Sequence, residues 1–250
     1  MLTVFSLTLR QLTGVRRQVI LLLFAAAPVG MAILVRYLTD DYTNQIIGLF
    51  DLLLVAAVLP LVVAILATTA LGDDVEDRTL SFILLRPVAR WQIVAAKYLA
   101  VVILGLAPLV VFGVVMAGVA FAQDIGSVSN YDEVIRPILG VLTGLVVGVL
   151  AYSAVFMWLG LISSQALGLA IVYVVVWEGF AAGIFDGIRY LSIRSYSLIT
   201  MSEVGGESLT AIGDVGATAI QLQFVFGGAA TVMIVFLALT LIQLRNMDVP

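Results

Sequence analysis

Six apolar runs, each long enough to cross a bilayer as a helix, dominate the sequence and fix what it can fold into. They span roughly residues 18–35, 46–71, 93–122, 138–162, 166–185 and 222–244. About 20 apolar residues at 1.5 Å per residue cover about 30 Å of hydrocarbon. Inside that hydrocarbon each backbone amide needs a partner, which leaves helices or a closed barrel, and unbroken apolar runs without alternation are helices. The expected fold class is all-α: one integral membrane domain over residues 1–250 with six transmembrane helices. Composition agrees, since charged residues are 11% of the chain where a soluble domain carries about a quarter.

The first run could be taken for a secretory signal, because Arg16 and Arg17 precede an apolar stretch ending in Ala25, Ala26 and Ala27. Pro28 follows directly and the run continues to Val35, so it reads as an uncleaved span. Before it, the segment from Leu2 to Val15 reads as a short amphipathic helix. Orientation follows from Lys and Arg, which concentrate in cytoplasmic loops. With the N-terminus inside, Arg10, Arg16, Arg17, Arg78, Arg86, Arg90, Lys97 and Arg245 are cytoplasmic against Arg36, Arg136, Arg189 and Arg194 outside. Both termini are therefore expected in the cytoplasm, with the chain in the cytoplasmic (cell) membrane. The outer segment from Asp186 to Gln221 mixes Ile188, Leu191, Ile193, Leu198 and Ile199 with polar residues. It is expected to form one or two short helices at the outer interface, broken at Gly205-Gly206.

The chemistry available is narrow. The chain has no Cys and no His, so thiolate nucleophiles, disulfides, His-centred triads and His-ligated metals are out of reach, and neither a catalytic nor a metal site is expected. With 12 basic and 16 acidic residues, it lacks the basic footprint of a nucleic-acid binder. Membrane lipid is the expected surrounding.

The densest charge lies between the second and third spans, in a segment covering residues 72–92. Asp73, Asp74, Glu76 and Asp77 precede an apolar stretch in which Leu80, Ile83, Leu84 and Pro87 recur at helical spacing. Asp77 or Thr79 can cap its start, the acids and Arg86 suit the dipole, and Pro87 pushes Arg86 out of helical geometry and ends it. A short amphipathic helix under the membrane is expected. A plain solvated loop has little reason to carry Phe82, Ile83, Leu84 and Leu85 in sequence.

With Glu76, Thr79-Leu80, Leu84-Leu85, Pro87, Arg90 and, in the next helix, Lys97, this segment resembles the loop between the second and third spans of ABC (ATP-binding-cassette) type-2 transporter permeases. Arg78 stands where many members have Gly. The resemblance extends at low resolution to the amphipathic lead-in, six spans and the long outer segment before the last. It implies a permease subunit of an exporter that moves its substrate with ATP hydrolysed by a separate ATP-binding subunit. Glu76, Arg78, Thr79, Leu80, Leu84, Pro87 and Arg90 would then form the coupling helix and its flanks, docked on that subunit. The permease would bind no cofactor itself; ATP and magnesium would sit on the partner. A second permease copy or a paralogue would complete the path. No GxxxxGK[ST] phosphate loop occurs in the chain, consistent with that division of labour.

Other features are read against plainer alternatives. Gly140, Gly144 and Gly148 recur every four residues on one face of the fourth span and mark a packing seam, within one bundle or between protomers. Pro28, Pro60 and Pro108 lie within the first three spans and permit kinks. Asp51 lies near the outer start of the second span and is expected to snorkel to the interface. Glu178, deeper in the fifth, either lines the translocation path, pairs with Arg36, Arg136 or Arg189, or sits in the aromatic belt. Lys97 is expected at the cytoplasmic interface. The alternative functions are an ion-driven secondary transporter, which should show more intramembrane charge and an internal repeat, and a membrane-embedded enzyme, for which Asp51 and Glu178 are a thin pair.

Overall fold

Apolar periodicity too dense to be one-sided produces long helices, and their packing is set by the few positions where small or polar residues interrupt it. The computed structural model describes residues 2–39, 42–76, 89–121, 132–163, 165–181, 191–206, 209 and 222–246, and every element among them is helical. Helix α1 is Leu2–Leu12 and α2 is Val15–Leu38. Helix α3 is continuous through Tyr42–Leu49, the π-wound Phe50–Val58 and Leu59–Glu76. Helices α4 and α5 are Arg90–Ala120 and Asp132–Ile162. Helix α6 comprises Ala166–Val172 and the π-wound Tyr173–Ala181; α7 is Ile193–Gly205 and α8 is Leu222–Asn246.

Among the described residues, five helices are long and apolar enough to cross a membrane: Val15–Leu38, Tyr42–Asp74, Arg90–Ala120, Ile135–Ile162 and Leu222–Asn246. The sixth expected span, 166–185, is different. Its apolar helical stretch is Ala166–Gly179, which at 1.5 Å per residue covers only about 20 Å. Its far end is taken up by Glu178, which is bonded into the start of α7.

Helix α5 is the hub, packed against α7, α3, α8 and α4. It can be, because Gly140, Gly144, Gly148 and Gly160 let other backbones approach: a Cβ at Gly160 would stand 2.8 Å from the Thr68 carbonyl of α3. Tyr98 of α4 donates to the Leu150 carbonyl at 3.0 Å. Helix α2 buries one stripe, Leu21, Ala25, Pro28, Val29 and Ala32, and leaves Leu22, Leu23, Phe24, Ile33 and Leu34 exposed, the pattern of a helix at the rim of a bundle. The N-terminal lead-in is helical as expected and seats Thr8 and Leu12 against the bundle.

Pro60 explains the π-winding of α3. It has no N–H to give, and the Leu59 N–H before it reaches back five residues to the Leu54 carbonyl. The wider turn takes up the space that the pyrrolidine ring would otherwise contest.

Helix α7, the described part of the expected outer segment, does not lie on the surface of the bundle. Of α7, Ile193 and Ser195 to Met201 are buried, and the helix packs along α5 and α8. It ends at the expected break, where Gly206 takes φ 72°, a left-handed conformation that glycine adopts without strain.

Candidate functional site

Helices α1, α2, α3, α4 and α8 meet around the last turn of α3 and the first turns of α4, on either side of residues 77–88. Glu76 is the last residue of α3, and Arg90 is the first of α4. Arg78, Thr79, Leu80, Leu84 and Pro87 lie outside the described residues, as does the Glu76 side chain, so the expected coupling helix falls there too. What the structure gives is the frame on either side.

That frame is ionic. Asp73 and Asp74 occupy the last turn of α3, where the helix dipole disfavours acids. Each is compensated from another helix: Arg17 of α2 approaches Asp73 at 3.6 Å and donates to Thr69 Oγ1 at 3.0 Å. Lys97 of α4 is 1% exposed; its Nζ donates to Asp74 Oδ2 and to the Ala70 carbonyl. Gln11 of α1 faces Asp74 Oδ1 at 3.5 Å. Lys97 is therefore enclosed by the bundle, where Asp74 offers an opposite charge beside it. Arg90 donates to the carbonyls of Leu244 and Arg245 at 2.9 and 2.8 Å, where the end of α8 has unsatisfied acceptors and negative dipole.

A second polar cluster lies in the other half of the bundle, about 30 Å away along α3 at 1.5 Å per residue. Both π-wound stretches place an acid in it: Asp51 from α3 and Glu178 from α6. Glu178 is 2% exposed and accepts from Ser192 Oγ at 2.5 Å, the Ile193 and Arg194 amides at 3.0 and 3.3 Å, and Tyr173 Oη at 3.3 Å. It caps α7, satisfying amides that a buried helix start would leave orphaned. None of these partners is an arginine side chain. Arg36 instead donates to the Val119 carbonyl at 3.0 Å and lies 5.4 Å over the Tyr42 ring. Asp51 is held by Arg194, which donates to its Oδ1 through Nε at 2.9 Å and Nη2 at 2.5 Å.

The glycine stripe faces α7. A Cβ at Gly140 would stand 2.5 Å from the Met201 carbonyl, one at Gly144 2.6 Å from the Ser197 carbonyl, and one at Gly148 2.5 Å from Ser197 Oγ. The seam thus lies within one chain. Sequence reasoning singled out the acids, Lys97 and the glycines but missed Ser192 and Arg194 as partners of Glu178 and Asp51, and Asp74 as the partner of Lys97. The available signal was Ser192 three residues before Ser195, a helix-capping pattern, with Arg194 beside it.

Both clusters hold helices together, one joining α3 to α4 and the other joining α3 and α6 to α7. A family model described as ABC-2 family transporter protein matches residues 15–178, which include the 77–88 segment and the parts of α3 and α4 that flank it. No curated protein matches the chain.

Proposed function

The chain belongs to the ABC-2 transporter family, and as such is an integral membrane protein and a transport permease; from that premise we propose that it is the membrane subunit of an exporter driven by a separate ATP-binding subunit. The family match over residues 15–178 carries the reading. ATP and magnesium belong to the partner, and residues 76–90 form the surface that docks on it, with Leu80 and Leu84 as the apolar contact and Glu76, Arg78 and Arg90 around it. A second copy of the chain, or a paralogue, completes the path through the cytoplasmic membrane.

We further propose six crossings with both ends of the chain in the cytoplasm. The Arg90 contact with the end of α8 and the Gln11 approach to Asp74 support it, because they draw the first and last helices to the end that bears the 77–88 segment. An even number of crossings must lie between them. Five long helices leave one to be made, and α6 followed by α7, joined where Glu178 caps Ser192 to Arg194, makes it as a broken helix. Buried backbone at such a break is tolerated when protein groups satisfy it.

The test is to purify the tagged full chain from its native membrane and assay what accompanies it. An ATP-binding-cassette protein is expected to co-purify, with an ATPase rate stimulated by the chain. Glu76→Arg and Leu84→Asp are expected to abolish that stimulation while the protein remains inserted. Capture of no ATPase, or full stimulation by both variants, rejects the proposal.

A further inference from the structure

The two stems of the 77–88 segment are joined by a buried ion pair. Lys97 stands two turns into α4 and Asp74 in the last turn of α3, 1% and 7% exposed, and Nζ spends two of its donors on the Asp74 carboxylate and the Ala70 carbonyl. Burying two opposite charges rarely stabilises a fold more than an apolar pair of the same size would; in some proteins such a pair instead fixes one geometry. Here that geometry sets the register of one stem against the other. The stems are also tied outward, to α1 through Gln11, to α2 through Arg17 and to α8 through Arg90. Among the described residues, each stem is therefore held against a neighbouring helix.

We infer that Lys97 is a positioning residue of the transport cycle: locked to Asp74, it makes the stems one rigid lever, so that movement of residues 77–88 is delivered to the distant half of the bundle. The inference rests on the reading of the chain as an ATP-driven permease. Without the lock, the partner would still bind and hydrolyse ATP, but α3 and α4 would slide past each other and the far half would not follow.

The test uses the full chain assembled with its ATP-binding subunit in lipid nanodiscs. The chain has no Cys, so spin labels on cysteines introduced at Tyr37 and Glu203, both exposed in the far half, report one distance. In wild type that distance is expected to differ between the nucleotide-free and vanadate-trapped states. The apolar pair Lys97→Met with Asp74→Leu is expected to assemble and hydrolyse ATP yet lose the change, whereas a purely structural role would lower assembly and hydrolysis together. Retention of the full change in the apolar pair overturns the inference. If that pair fails to assemble, Lys97→Arg decides: it can still hold Asp74 and should keep the change, and loss of the change in an assembled, hydrolysing complex overturns the inference. A wild-type chain that captures no ATP-binding subunit fails earlier, on the functional reading itself; a wild-type complex whose distance ignores nucleotide overturns the lever.

Discussion

At the scale of single residues, Asp51, Asp74, Lys97 and Glu178, charges inside the described bundle, are each met by groups far along the chain. Glu178 finds its partners at Ser192, Ile193 and Arg194, and Asp51 finds Arg194. Their presence in apolar runs was legible in the sequence; their pairing was not, because hydrogen-bond partners 14 or 143 positions away leave no local pattern. Removing the Glu178 carboxylate strands buried amides, so Glu178→Ala is expected to lower unfolding stability in micelles by about 1–3 kcal/mol. Glu178→Gln, which keeps an acceptor oxygen, should lose less. Equal losses from the two would mean that capping is not what the residue does. The Asp51 pair makes a different prediction. Arg194→Met alone leaves a half-buried carboxylate without its cation and should destabilise more than Asp51→Asn combined with Arg194→Met, because losing one partner of such a pair costs more than losing both. Denaturant unfolding of the three proteins, side by side, gives the order.

At the scale of elements, the glycine stripe is where the sequence spoke most usefully and was read least completely. A spacing of four on α5 announced a close approach; which helix approached was invisible, because α7 looks polar enough to lie at a membrane surface. Its serines and threonines can be buried because they bond within the helix, as Ser197 and Thr200 do to the carbonyls four residues back. The two ends of the scale of tolerance are then measurable. Gly144→Ala would drive a Cβ against Ser197 and Met201, and overpacking of this kind costs about 1–3 kcal/mol. Gly30→Ala and Gly168→Ala meet nothing within 4 Å and should be neutral or gain up to about 1 kcal/mol from helix propensity. Thermal unfolding in detergent separates them, and a neutral Gly144→Ala would show that α7 does not seat on the stripe. The π-wound stretch of α3 was likewise half legible: Pro60 signalled a disturbance, but a kink and a widened turn are alternative ways to absorb a missing N–H, and only packing chooses.

At the scale of the whole molecule, span counting from hydropathy and the helices actually built differ by one, and parity gives a reason. Hydropathy counts a crossing wherever apolar residues suffice, so α6 counted, although its apolar helix runs only from Ala166 to Gly179. The contacts of Arg90 and Gln11 draw the first and last helices toward the stems of the 77–88 segment, and the proposed sixth crossing is the one that an even count requires. If the chain completes a sixth crossing through the join at Glu178, Glu203 on α7 must emerge on the same side as Tyr37, at the end of α2, and opposite to Thr13 and Arg245. All four are exposed and the chain has no native Cys, so single cysteines at these positions report sidedness directly. In intact cells, a membrane-impermeant maleimide is expected to label the variants at Tyr37 and Glu203 and to reach those at Thr13 and Arg245 only after permeabilisation. Glu203 reacting together with Thr13 and Arg245 would mean that α7 never leaves the inner half and that the crossing is made elsewhere. Tyr37 reacting with Thr13 would undo the orientation drawn from the basic residues, because α2 has no charge between Arg17 and Arg36 to hold it short of the opposite face.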